Sequence, residues 1–192
     1  MIPEAQAALD ALMAGNERFR ACQPQNYVYP QDHLFNLSQK QQPMAAIIAC
    51  SDSRVSPDVV FDQPLGTIFA SRVPGNVASD SAKWMLEIAV LEFKVPLVIV
   101  MAHTGCLAVG QLLGGDSGGS GGMLRFDVMS AIYEAKSRHP EDLFREAVIQ
   151  NAKQTVRKLE SDNFAVAKVI REGRLNIVSA LYEMETGRVL LV

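Results

Sequence analysis

The chain has 192 residues, with 18 Lys and Arg against 21 Asp and Glu, so its formal net charge at pH 7 is −3. This length predicts one domain, and a composition that is 48% hydrophobic and 20% charged is typical of globular proteins rather than disordered ones. The nearly balanced charge argues against nucleic-acid binding, and no apolar run is long enough to cross a membrane.

The N-terminal half predicts helices that alternate with short buried strands. Apolar residues at helical spacing predict a helix over the first 20 residues, and a polar loop with a short helical piece follows at 23–42. Short, almost entirely apolar runs that predict buried strands lie at 45–49, 67–70 and 97–101. A helix capped by Ser79 is predicted over 79–92. This alternation predicts an α/β fold, with a central, mostly parallel sheet flanked by helices.

The C-terminal half predicts a loop, two helices and a hairpin. The glycine-rich stretch 114–122 is interpreted as a flexible loop, because it lacks the Gly-Lys-Ser/Thr ending of a phosphate-binding loop. Helical spacing covers 140–173, with a break at Asp162. The segments 176–182 and 188–192 predict a closing hairpin.

Two short motifs at predicted strand ends carry the residues with chemistry. Cys50-x-Asp52-x-Arg54 follows the first strand, and in an extended backbone these alternate side chains would share one face. His103-x-x-Cys106 follows the third strand, and a helix starting there would bring imidazole and thiol together. Because the carboxyl ends of parallel strands meet at one edge of a sheet, the two motifs predict a shared site.

Two cysteines and one histidine match the three protein ligands of a catalytic zinc that keeps its fourth position open. Each residue also has an ordinary structural explanation. A buried Cys is often a small apolar side chain, a buried His can be a hydrogen-bonded core residue, and Asp52 with Arg54 can be a structural ion pair. Spacing alone leaves both interpretations open.

The cysteine count bears on the compartment. Three cysteines in a chain without a visible export signal predict a reducing, cytoplasmic location, with thiols kept as ligands or nucleophiles. Cys22 is expected to be a small buried apolar residue. His33 and His139 lie in polar stretches and are expected at the surface.

The motifs Cys-Ser-Asp-Ser-Arg-Val at 50–55 and His-Thr-Gly-Cys at 103–106 resemble the beta-class carbonic anhydrases. Further segments that resemble the family lie at 15–19, 41–43, 69–76 and 182–187. The resemblance covers nearly the whole chain. It implies one domain over 1–192, with a helical arm and loop at 1–42 and an α/β core at 43–192.

This resemblance implies a zinc enzyme, a lyase that reversibly hydrates carbon dioxide to bicarbonate and a proton. One zinc ion per chain would be held by Cys50, His103 and Cys106. Asp52 would accept a hydrogen bond from the attacking hydroxide. Arg54 would keep Asp52 ionised and oriented.

The resemblance also implies a homodimer or an assembly of dimers. Gln41 would contact the substrate, usually from the neighbouring subunit, and Phe69 would help to wall the pocket. The apolar stripe of the first helix, Ala5, Leu9 and Leu12, would pack on the partner.

Some residues depart from the family pattern. Ile88 stands where a Tyr often lines the pocket, and Ala102 and Leu107 stand where Gly is usual, so the pocket is expected to be bulkier and less polar. Some members of the family carry a Trp at the position of Ile47. Ile47 therefore favours an open site, in which Asp52 does not bind the zinc. Two alternatives therefore stay open: hydrolysis of carbon disulfide or carbonyl sulfide at the same zinc site, and a catalytically weak, structural zinc-binding homologue.

Overall fold

Five strands form one mixed sheet in the computed structural model, which describes residues 1–115, 122–161 and 165–192. The strands are β1 Ala45–Ala49, β2 Ile68–Arg72, β3 Leu97–His103, β4 Asn176–Glu183 and β5 Arg188–Leu191. They lie side by side in the order β2, β1, β3, β4, β5. The first four are parallel, and β5 runs antiparallel to β4. The predicted α/β fold with a central, mostly parallel sheet is confirmed.

Helices of the described residues flank this sheet. They are α1 Pro3–Arg20, α2 Gln31–Gln39, α3 Pro57–Val60, α4 Asp80–Glu87, α5 Leu107–Leu113, α6 Gly122–Ser137, α7 Leu143–Ser161 and α8 Ala165–Arg171. A 3₁₀ turn follows β2 at Pro74–Asn76, and α4 continues as a π-helical turn at Ile88–Glu92.

Most of the predicted elements are confirmed. The first helix, the short helical piece after it and the closing hairpin are all present. The hydroxyl of Ser79 accepts a hydrogen bond from the Ala82 N–H at 3.2 Å, which caps α4 as predicted. The third strand extends two residues beyond the predicted end, so that His103 is its last residue. Most of the predicted glycine-rich loop, and the predicted break at Asp162, lie outside the described residues.

Helix α6 was not predicted from the sequence. Its apolar residues do not form one stripe, because Met123 and Phe126 are exposed while Val128 and Ile132 are buried. A helix with apolar residues on several sides lacks the periodic pattern on which prediction depends.

The alternation of side chains along the buried strands gives the sheet two apolar faces. On one face, Ala46, Ile48, Val98 and Val100 pack against residues of α4 to α8. On the other face, Ala45, Ile47 and Ile99 lie among residues of α1 and α3. Both faces are therefore covered within one chain, as a parallel sheet requires.

The apolar stripe of α1 packs on the chain's own sheet. Ala5 and Leu12 are fully buried and Leu9 is 5% exposed, in the same cluster as Ile47 and Ile99. The expectation that this stripe packs on a partner subunit is therefore wrong. The reason is that this face of β1 and β3 needs a cover, and α1 is the helix that supplies it.

The remaining N-terminal residues are more exposed. Cys22 is exposed, contrary to expectation, because it lies with φ at 54° in the turn just past the end of α1. His33 and His139 are exposed as predicted. Helix α2 has no buried residue, and its Phe35 is 64% exposed. Within the described ranges, no helix is long and apolar enough to cross a membrane.

Candidate metal centre

The two sequence motifs meet at the carboxyl edge of neighbouring strands. β1 and β3 are paired with Ala49 opposite Met101, so Cys50 and His103 both come at this edge. Cys106 directly precedes α5 and occupies its N-cap position. Parallel pairing thus brings together residues that lie more than fifty positions apart in the chain.

The local backbone differs from the expected one in both motifs. β1 ends at Ala49 and the chain turns at Ser53 and Arg54, so the first motif is not extended and its side chains do not share a strand face. Helix α5 begins at Leu107 instead of near His103. In the second motif a chain reversal, with Gly105 at φ 66°, joins the two ligand positions.

Cys50, His103 and Cys106 form a buried cluster with their ligand atoms within 4.8 Å of one another. The two sulfur atoms lie 4.0 Å apart. Two thiolates bound to a tetrahedral zinc at about 2.3 Å each would lie about 3.8 Å apart. The spacing and the donor set, two sulfurs and one imidazole nitrogen, therefore fit zinc.

The imidazole supports the same interpretation. His103 Nδ1 lies 2.8 Å from the carbonyl oxygen of Thr104, which can only accept, so Nδ1 is the protonated nitrogen. His103 Nε2 is buried and has no hydrogen-bond partner. A buried nitrogen lone pair without a partner is unfavourable unless something binds it. A metal ion would meet that need.

The surroundings of Cys50 favour its thiolate form. A hydrogen bond from the Cys106 thiol lowers the pKa of Cys50, and the backbone N–H groups of Asp52 and Gly75 lower it further. The pKa of Cys106 is raised, because the neighbouring Cys50 takes the negative charge and burial disfavours a second one. A dication at this position would stabilise both thiolates.

Asp52 and Arg54 form a forked ion pair beside the cluster. Arg54 Nε lies 2.9 Å from Asp52 Oδ1, and Nη2 lies 2.8 Å from Oδ2. The Arg54 backbone N–H also donates to Oδ1, at 3.0 Å. These contacts hold the pKa of Asp52 well below its usual range, so the carboxylate stays ionised.

Arg72 is a residue of the site whose role the sequence did not reveal. Its Nε donates to the carbonyl oxygen of Cys50 at 3.2 Å, and its Nη2 donates to that of Asp52. Arg72 thus holds the backbone of the first motif from the end of β2. The Phe69-x-x-Arg72 match to the family marked this residue but gave no reason for it.

Gln41 and Phe69 lie away from this chain's own cluster. Phe69 pairs with Ala46, four residues before Cys50, which is about 13 Å along a strand. The Phe69 ring contacts Phe93, with centroids 5.7 Å apart. Gln41 and Phe93 line a groove of about 700 Å³ beside α2. Within one chain, neither Gln41 nor Phe69 is brought to the candidate metal ligands.

Two of the residues that depart from the family pattern also lie outside the cluster. Leu107 is 68% exposed at the start of α5, and Ala102 is buried in β3. The leucine side chain therefore points to solvent in the single chain and does not fill the space between the ligands.

The family model for carbonic anhydrase matches residues 45–189. A carbonic anhydrase of Mycobacterium tuberculosis is 35% identical over 189 residues, which cover 96% of this chain and 91% of that protein. A carbonic anhydrase of Mycolicibacterium smegmatis is 34% identical, covering 95% of this chain and 91% of that protein.

Solved structures agree with the sequence comparisons. The beta-carbonic anhydrase CcaA superposes with a TM-score of 0.73 at 26% identity, over 96% of this chain and 87% of that chain. Tetrameric beta-carbonic anhydrases of Sordaria macrospora share the fold, with a TM-score of 0.76 at 19% identity over 97% of this chain and 94% of theirs. The chain belongs to the beta-class carbonic anhydrase family.

Proposed function

We propose that this chain is a zinc-dependent carbonic anhydrase that reversibly hydrates carbon dioxide to bicarbonate and a proton. The observation that carries the proposal is the buried Cys50–His103–Cys106 cluster, with its unpartnered imidazole nitrogen, in a chain of this family. These three residues would hold one zinc ion per chain. Zinc bound by three protein ligands supplies Lewis acidity that lowers the pKa of water and so provides hydroxide near neutral pH.

Asp52 is suited to orient the attacking group. Its carboxylate is ionised and can only accept hydrogen bonds. Oδ1 already accepts from the backbone N–H and from Nε of Arg54, whereas Oδ2 accepts only from Nη2 and keeps a lone pair for a further donor. Arg54 is itself oriented, because its Nη2 also lies 3.5 Å from the carbonyl oxygen of Gly105, in the second motif. We propose that Arg54 keeps Asp52 from turning to the metal.

Hydration should depend on both members of this pair. We expect Asp52→Asn to lower kcat/KM by about 10²-fold or more, as loss of one positioned, charged hydrogen-bond partner does. Arg54→Ala should also lower it, with zinc content unchanged, because Asp52 would then be free to turn to the metal. Stopped-flow assays of carbon dioxide hydration, with zinc measured in each sample, test both variants.

Arg174→Ala is a matched control for Arg54→Ala. Arg174 also donates from Nε and Nη2 to a carboxylate two residues earlier, Glu172, but at the opposite end of the sheet. Its removal should leave hydration unchanged. Equal loss of activity in the two arginine variants would contradict the role of Arg54.

We propose that the active form is a homodimer in which Gln41 and Phe69 contact substrate at the partner's metal centre. Two observations support this. Both residues border one region around Phe93, remote from their own ligands, and α2 beside it has no buried residue. The expected assembly is a dimer or a larger assembly of dimers.

Mixing two inactive variants tests whether Gln41 acts across subunits. Gln41→Ala chains keep their metal ligands, and Cys106→Ala chains keep Gln41. If Gln41 comes from the partner, one metal centre of a mixed dimer has both its three metal ligands and an intact Gln41. An equimolar mixture that exchanges subunits should then regain about a quarter of wild-type activity, since half the dimers have one intact site. No regain, in mixed dimers verified by mass spectrometry, would place Gln41 in its own chain's site.

Carbon disulfide or carbonyl sulfide hydrolysis is not favoured. The named relatives are carbonic anhydrases, and the exposed side chain of Leu107 does not narrow the cluster within one chain. Assays with both sulfur compounds beside carbon dioxide test this conclusion. We further propose a cytoplasmic location, which the three free cysteines support, because thiols persist in reducing compartments.

A further inference from the structure

We infer that Thr104, held by the turn between β4 and β5, is a positioning residue for the metal ligand His103. The Thr104 carbonyl group would fix the imidazole with Nε2 toward the two sulfurs, and Met184 and Glu185 of the turn would fix Thr104. The inference rests on the proposed zinc function and identifies what tunes metal affinity at that site.

The first step is the contact between the imidazole and the carbonyl group. At 2.8 Å, His103 Nδ1–H donates to the Thr104 carbonyl oxygen. This single contact sets both the tautomer, since the carbonyl only accepts, and the rotation of the ring. Partners of this kind on metal-bound histidines determine how well the other nitrogen binds the ion.

The second step is the fixing of Thr104 itself. Its N–H donates to the carbonyl oxygen of Tyr182 at 3.0 Å. Its hydroxyl donates to Glu185 Oε2 at 2.8 Å and accepts from the Met184 N–H at 3.0 Å. Three hydrogen bonds, to Tyr182, Met184 and Glu185, leave the residue little freedom. Valine has the shape of threonine but could make only the first of them.

The third step links the turn to the second thiol ligand. A Cβ on Gly105 would lie 2.9 Å from Met184 Cε, so the turn packs closely against the chain reversal that leads to Cys106. The turn is braced in its own right, because Arg145 Nη2 donates to Glu183 Oε1 at 2.6 Å. The same turn therefore holds the backbone segment that joins His103 to Cys106.

A structural role alone predicts a different outcome from a positioning role. Glu185 is exposed, so its hydrogen bond adds little to global stability. If Thr104 served only the fold, removing its hydroxyl would shift unfolding slightly and leave metal binding alone. If it positions His103, the effect falls on metal affinity and on the ligand field.

The test compares Thr104→Val and Thr104→Ser with wild type and with Thr186→Val. Thr186 lies in the same turn and its hydroxyl contacts Glu183 and the Arg188 N–H, not Thr104. Zinc affinity is measured by competition with a chromogenic chelator, and the site geometry by the absorption spectrum of the Co²⁺-substituted protein. We expect Thr104→Val to weaken zinc binding about tenfold or more and to alter the Co²⁺ spectrum. Thr104→Ser and Thr186→Val should match wild type.

The outcomes separate this inference from the proposed function. A wild-type chain that binds no zinc would overturn the proposed function. A wild-type chain that binds zinc, with Thr104→Val equal to it in affinity and Co²⁺ spectrum, would overturn the inference alone. Should Thr104→Val not fold, Glu185→Ala tests the same hydrogen bond from an exposed position. It should weaken zinc binding in the same direction, and unchanged affinity would also overturn the inference.

Discussion

Cys106→Ala is expected to remove zinc from the protein and to abolish carbon dioxide hydration. Cys106 is one of the three residues proposed to hold the zinc, and its sulfur lies 4.0 Å from that of Cys50. The loss in zinc affinity should exceed the roughly 10–100-fold loss that follows from removing a residue that only hydrogen-bonds to a metal ligand. Elemental analysis should find close to one zinc per wild-type chain and almost none in the variant.

Cys22→Ala is the matched control. Cys22 is also a free cysteine, but it is exposed and lies outside the cluster. This variant should keep both its zinc and its activity. A Cys106→Ala protein that is folded, free of zinc and fully active would contradict the proposed function.

The position of the candidate metal centre could be predicted because it depends on few conditions. Both motifs directly follow runs of buried apolar residues, and such runs predict neighbouring parallel strands. Once β1 and β3 are adjacent and parallel, Cys50 and His103 must come at the same edge. The expected Asp52–Arg54 pair needs only a tight turn, since the two residues are close in the chain.

Other parts of the site depend on contacts that no local pattern records. The carbonyl groups bound by Arg72, and the turn that holds Thr104, come together only when distant strands are paired. The helical spacing of α1 revealed an apolar stripe but not the surface that covers it. The stripe with Leu9 and Leu12 was assigned to a partner and lies on the chain's own sheet instead.

Gly15→Ala is expected to destabilise the fold strongly, although alanine is the better helix former. An added Cβ at Gly15 would lie 1.7 Å from the carbonyl oxygen of Phe61, a backbone atom. Helix α1 would then have to move away from the segment after α3. That movement would pull on Asn16, which is fully buried and whose Nδ2 donates to the carbonyl oxygens of Val60 and Gly187, at 3.0 and 2.8 Å.

The expected loss in the free energy of unfolding is at least about 3 kcal/mol, because overpacking and unpaired buried polar groups add to each other. For a chain of this size that corresponds to a fall of roughly 6–12 °C in Tm.

Gly110→Ala is the control, since its Cβ would meet Phe144 Cε2 at an ordinary 3.5 Å. Within helix α5 it should leave stability unchanged or raise it by about 0.5–1 kcal/mol. Urea unfolding at one fixed protein concentration compares the three proteins. If Gly15→Ala unfolds at the same urea concentration as wild type, the close approach of α1 to Phe61 is not the reason for a glycine at position 15.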